Sequence, residues 1–138
     1  MYQRIIGLDV GDKRIGISLS DPLRITAQGV ETYTRRSEEQ DVQYIKELYE
    51  KNNAEMIVCG LPKNMNGTIG PQAEKVQGFA ALLEEQGCKI VFSDERLTTV
   101  LAERMLIEAD MSRQKRRKVI DKLAAVTILQ SYLDTMSK

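Results

Sequence analysis

The sequence contains no histidine. That absence excludes Ser-His-Asp and Cys-His nucleophile systems and His-ligated zinc or haem. Enzyme chemistry here must rest on carboxylates, Lys, Arg, hydroxyls or thiols. Cysteine is scarce: Cys59 and Cys88 both lie in apolar runs. They read as buried thiols of a reducing, cytoplasmic compartment, and two thiols without histidine are too few for a zinc site. Aromatic residues make up 5% of the chain, and Tyr2, Tyr33 and Phe92 form no stacking pattern, which argues against base-specific readout of nucleic acid. No run approaches the ~20 apolar residues of a bilayer crossing, so no membrane partner is expected. Met1-Tyr2-Gln3-Arg4 leads straight into a strand-like run, and no signal peptide is visible. Net charge is also absent, with Lys+Arg and Asp+Glu both at 20. Nucleic-acid binders are usually basic overall. Such a surface would therefore have to come from segregated charge.

What is present suits one domain spanning 1–138. Tyr2 to Asp9 and Arg14 to Ser20 read as strands joined by a tight turn at Gly11, and Ile25 to Tyr33 as a weaker third. Short links predict an antiparallel meander. The period then changes. Ser37, with Gln40 three residues on, opens a helix that carries Val42, Ile45, Leu48 and Tyr49 at helical spacing and stops at Asn52 and Asn53. Glu55 to Gly60 reads as a buried strand. Gly70-Pro71 starts a second helix and Gly87 closes it. Lys89 to Ser93 reads as a strand, Leu97 to Ala109 as a helix, and Arg113 to Lys118 as a basic loop. Ile120 to Leu133 is a mostly buried final helix. The order predicts an α/β fold: a mixed sheet with helices on its faces.

Acids stand at three element ends. Asp9 ends the first strand, Asp94-Glu95 ends the last, and Asp121 opens the final helix. Singly, each reads as a turn-former or as a carboxylate favoured by a helix dipole. Together they say more. Neighbouring strand ends lie ~5 Å apart, so these carboxylates can converge at one sheet edge. Clustered carboxylates repel unless cations neutralise them. Hard oxygen donors suit Mg²⁺ or Mn²⁺, and two such ions ~4 Å apart can drive phosphodiester hydrolysis.

Four ordered segments resemble a known family: GLDVGDKRIGIS from Gly7, GLPKNMNGTIGPQA from Gly60, DERLTTVLAE from Asp94 and IDKLAAVTILQSYL from Ile120. They are similar to the YqgF family, described as pre-16S rRNA nucleases and formerly as Holliday-junction resolvases. The resemblance spans nearly the whole chain. It implies a ribonuclease H-like fold with a five-stranded mixed sheet, and a metal-dependent endonuclease using Mg²⁺ or Mn²⁺. It also implies an acidic triad on Asp9, Glu95 and Asp121, as catalytic residues and metal ligands. The implied substrate is structured nucleic acid, with the 5′ end of precursor 16S rRNA ahead of a four-way DNA junction, and with the ribosome as a possible partner. Asn66 stands where many members carry Asp; it keeps the turn geometry and lacks the charge.

Cations surround these acids in sequence. Lys13 and Arg14 follow Asp9, and Arg96 follows Glu95. They are candidates for holding phosphates or, equally, for offsetting the carboxylates. Lys63 and Asn64 lie in a loop whose donors suit a nucleic-acid backbone or simple turn chemistry. Arg113, Lys115, Arg116, Arg117 and Lys118 form a like-charge block read as a phosphate-contact loop. Two other function classes compete: a nucleotide phosphotransferase, since Asp-x-Gly followed by Lys13 resembles a phosphate loop, and a non-catalytic RNA- or ribosome-binding module. The chain is expected to be a monomer or a homodimer, a resolvase of two strands needing the symmetric dimer.

Overall fold

The computed structural model describes residues 3–63, 66–94 and 113–136 and, of 113–118, the backbone alone. β1 (Arg4–Val10), β2 (Arg14–Ser20) and β3 (Ala27–Thr34) form the expected antiparallel meander. β4 (Ala54–Leu61) and β5 (Ile90–Asp94) run parallel to β1 on its other side, giving the order β3-β2-β1-β4-β5. The predicted strands are all present: β2 has its predicted bounds, and the ends of the others differ by one or two residues.

The caps follow the local chemistry. In α1 (Glu38–Lys51) the Ser37 hydroxyl accepts from the Gln40 amide at 3.1 Å, occupying one of the helix's unpaired donors. Asn52 and Asn53 end it, and Asn53 takes a left-handed φ of 50°. α2 (Pro71–Glu85) begins on a proline that has no amide to leave unpaired, and Gly87 turns the chain away at φ 93°.

Strand alternation divides the core into two layers. Ile6, Leu8 and Val10 of β1, Ile15 and Ile17 of β2, and Ile57 and Cys59 of β4 face α1 and α2, burying Ile45, Val76, Phe79 and Leu83 against them. Ile5, Met56 and Val58 face the other way, onto Ile128, Leu129 and Leu133 of α3 (Arg113–Met136). Both cysteines are buried, and neither is in a disulfide.

One reading is corrected. The basic segment Arg113 to Lys118 is not a loop, and Asp121 does not open the final helix. α3 begins at Arg113, so Asp121 lies two turns inside it. Lys, Arg and Gln are good helix formers, and like-charge repulsion between neighbours on a helix surface costs only tenths of a kcal/mol per pair, about 0.2–0.5. Propensity therefore outweighs repulsion. The helix expected over 97–109 lies outside the described residues.

Candidate active site

β1, β4 and β5 are parallel, so their C-terminal ends, Val10, Leu61 and Asp94, share one edge of the sheet. Asp9 sits one residue short of that edge, partly buried. Its neighbours in β1 fix its direction. Leu8 and Val10 point to the α1/α2 layer, and Gly7, on the opposite face, abuts Ala125 and Leu129. Asp9 therefore lies on the α3 face. Continuing the β1–β4 register by one residue sets Asp9 level with Gly60, and Gly60 is paired with Ser93. The row beside Asp9 thus holds a glycine and a small hydroxyl.

α3 is brought to this edge by glycine. Asp9 is directly opposite Gly16 in the β1–β2 pairing, with about 4.5–5.5 Å between such Cα atoms. A Cβ on residue 16 would lie 1.9 Å from the Asp121 carbonyl oxygen, and one on residue 7 would lie 2.7 Å from the Leu129 Cβ. These close approaches hold the helix against the sheet. Ser18, buried between the same strands, reinforces the seat by donating to the Ala125 carbonyl at 2.7 Å. The helix runs antiparallel to β1, with Asp121 at the Asp9 end and Leu129 further back. Asp9 and Asp121 thus approach from two elements on one face. Both offer hard oxygen donors, a set that suits a divalent cation. Among the described residues no group of three or more acidic or sulfur ligands gathers. Glu95, the third expected acid, lies outside them, one residue beyond the end of β5.

Arg14 is brought to Asp121. Its Nε lies 2.7 Å from Asp121 Oδ2, a charge-assisted bond between two partly buried side chains. This contact offsets the Asp121 charge, which is one of the two roles the sequence allows Arg14. Lys13 is exposed in the turn, its carbonyl accepting from the Arg35 amide at 2.9 Å.

The turn that joins β1 to β2 is braced from outside, by residues the sequence reading did not single out. Arg35 donates from Nε to Asp41 Oδ2 at 2.9 Å and from a terminal nitrogen to the Gly11 carbonyl at 2.9 Å. Asp41 is 1% exposed and also accepts from the Tyr33 hydroxyl and the Arg36 amide. Burial pushes the Asp41 carboxyl up, but the Arg36 amide, Arg35 and Tyr33 outweigh it and hold the group below its ordinary value. Asp41 is the fourth residue after the Ser37 cap, in the first turn, where an acid already reads as a helix-dipole partner. That reading hides its second use.

Lys63 stands just past β4 at the same sheet edge, bridged to Ile69 across a short loop. Within the loop Asn66 Oδ1 accepts from the Thr68 amide at 3.1 Å and the Thr68 hydroxyl at 2.7 Å, and Gly67 takes φ 84°. Asn66 thus does the turn work expected of it. Asn64 and Arg96 lie outside the described residues. The backbone of Arg113, Lys115, Arg116, Arg117 and Lys118 occupies the two helical turns ahead of Asp121, about 4–12 Å along the axis. On the opposite face, beside α1 and α2, an open groove of about 900 Å³ carries Glu38, Glu39, Glu47 and Glu85 against Arg36. Its charge disfavours phosphate.

Comparison with known proteins bears on this arrangement. A family model described as "RuvX: Holliday junction resolvase" matches residues 3–135. Relatives from Clostridium kluyveri and Clostridium botulinum, each named "Putative pre-16S rRNA nuclease", are 56% identical over 136 residues, covering 98% of this chain and 99% of theirs. Among solved structures, Thermus thermophilus RuvC in complex with a Holliday junction substrate superposes with TM-score 0.61 at 12% identity, over 99% of this chain and 98% of that one. The Fowlpox virus resolvase with junction DNA superposes with TM-score 0.62 at 12% identity, over 99% and 100%. At such identity the likeness speaks for the fold, which is the ribonuclease H-like fold of these resolvases. The chain therefore belongs to the RuvX family, the same YqgF family that its four sequence segments resemble.

Proposed function

We propose that the chain is a metal-dependent nuclease that hydrolyses phosphodiester bonds of structured nucleic acid. Its proposed substrate is the 5′ end of precursor 16S rRNA. The observation that carries this is the seating of α3 on Gly16, which brings Asp121 to the strand pair that bears Asp9. The 56% identical relatives named for pre-16S rRNA support the choice of substrate. Asp9, Glu95 and Asp121 are the residues that would hold Mg²⁺ or Mn²⁺. A pair of such ions, when bound, activates a water and stabilises the leaving oxygen. The chain's own part is to present carboxylates from separate elements and to hold the scissile strand. Lys13 and Lys63 flank the edge; Asn64 and Arg96 are proposed to join them on the phosphate backbone, as are Arg113, Lys115, Arg116, Arg117 and Lys118 in the first turns of α3. The setting is cytoplasmic and next to the ribosome, in a single domain acting as a monomer or a homodimer.

A second reading is cleavage of four-way DNA junctions, favoured by the family's description as a resolvase. The experiment that decides is side-by-side cleavage of precursor 16S rRNA and junction DNA by the same preparation, with Mg²⁺, with Mn²⁺ and with a chelator. Metal-dependent shortening of the rRNA at a defined 5′ site, with junction DNA left whole, supports the first reading. Cleavage of the junction alone supports the second.

A further inference from the structure

We propose that Arg14 is a stand-in cation at the carboxylate site: it neutralises Asp121 while no metal is bound, and is released to a nucleic-acid phosphate when a divalent ion takes that carboxylate. The inference deepens the reading of Asp121 as a metal ligand and rests on it. Four observations carry it. Arg14 Nε and Asp121 Oδ2 are 2.7 Å apart, within the range of a charge-assisted bond. Both side chains are only partly exposed, at 27% and 21%, so water screens the pair less than it would a surface ion pair. Arg14 is the first residue of β2, next to the turn that Arg35 braces through Gly11, so its backbone is fixed close to Asp121. The side chain alone is left to move. Finally, Asp9 lies across from Gly16, on the face where α3 carries Asp121, so an ion held by Asp121 would have a second hard oxygen donor on the neighbouring strand.

The physical consequence is competition. A guanidinium bonded to Asp121 Oδ2 occupies a lone pair that a divalent ion requires. Its positive charge also opposes a second cation in the same low-dielectric corner. Once an ion holds Asp121, the guanidinium loses its partner. It is then a planar, permanently charged donor fork at the edge where a phosphate strand would run, and arginine matches phosphate bidentately. Metal binding and strand binding are thereby coupled through one side chain. Either ligand favours the other, since the metal frees Arg14 and a phosphate draws it off Asp121.

The test uses the intact protein and reads binding rather than turnover. Mn²⁺ is titrated calorimetrically into metal-free wild type, Arg14→Gln, Arg14→Lys and Asp121→Asn, without nucleic acid. Arg14→Gln is expected to bind Mn²⁺ about tenfold more tightly, because a competing charge is gone. Arg14→Lys keeps the charge and is expected to stay near wild type, and Asp121→Asn to bind far more weakly. The Arg14→Gln protein should also bind single-stranded RNA in Ca²⁺ with a salt slope flatter by about 0.7, the loss of one phosphate contact. If Arg14→Gln does not fold without metal, the wild type still answers. The Arg14 Nε–H resonance, identified by its absence in Arg14→Lys, should shift on titration with Mg²⁺. An unchanged or weaker Mn²⁺ affinity in Arg14→Gln, or an Nε–H resonance indifferent to Mg²⁺, overturns the proposal while leaving the nuclease reading intact. Unchanged Mn²⁺ binding in Asp121→Asn overturns both, because Asp121 would then not be a ligand.

Discussion

The carbonyl oxygen of Asp121 occupies the place where any side chain at position 16 would begin: a Cβ on Gly16 would lie 1.9 Å from it. The obstacle is backbone, not the flexible end of a side chain, so it cannot step aside. Gly16→Ala must lift α3 or shift β2. Overpacking of this kind costs about 1–3 kcal/mol, and the helix that lifts is the one carrying Asp121. Thermal unfolding and cleavage of the same variant should therefore both fall, with cleavage lost out of proportion to stability at temperatures where the protein is still folded. An alanine variant with wild-type activity would mean that the contact does not set the position of Asp121.

The Arg35–Asp41 pair makes a separate prediction. Asp41 is almost fully buried and Arg35 largely so. Removing one partner strands the other, at a cost of about 3–5 kcal/mol. Arg35→Met is expected to lose that much stability in urea and to loosen the Gly11 turn, measured as faster amide exchange at Gly11 and Asp12. The pH dependence has a definite sign. The folded-state value of Asp41 lies below its ordinary carboxylate value, so its contribution is fully present above about pH 4 and is lost as pH falls through the lowered value. Asp41→Asn should flatten that acid limb of the stability curve. An acid limb of unchanged steepness would place its origin elsewhere.

The basic turns of α3 are testable through salt. If Lys115 and Arg116 both touch phosphates, the double change to alanine should weaken RNA binding and flatten the slope of log affinity against log salt by about 1–1.5. The loss should be similar for unrelated sequences, because phosphate contacts carry no base information. Binding in Ca²⁺ at several salt concentrations measures this directly, and an unaltered slope would remove the segment from the interface.

Much of this architecture is legible in the chain. Strand alternation and the Ser37, Pro71 and Gly87 signals mark most elements to within two residues, because those signals act locally. The start of α3 is misread, because a block of like charge suggests a loop whereas Lys, Arg and Gln favour helix. Asp9 and Asp121 are legible as candidate acids, and their common face follows from alternation once the register is known. The Arg14–Asp121 pair, the brace from Arg35 and Asp41, and the roles of Gly7 and Gly16 are not legible. They join residues 107 and 24 positions apart, or depend on how closely a helix approaches a sheet. No local pattern encodes either. Glycines at positions 7 and 16, inside strands, are the visible hint, since glycine weakens strands and often marks close backbone approach.

The joint action of Asp9, Glu95 and Asp121 on a phosphodiester bond underlies the nuclease reading. Its most direct test is metal-dependent cleavage of precursor 16S rRNA by wild type and by Asp9→Asn, Glu95→Gln and Asp121→Asn, each purified free of contaminating nuclease and shown to be folded. Shortening at one 5′ site is expected from the wild type with Mg²⁺ or Mn²⁺, none with a chelator, and near-complete loss in every variant. Wild-type cleavage by the Asp9→Asn protein would contradict it.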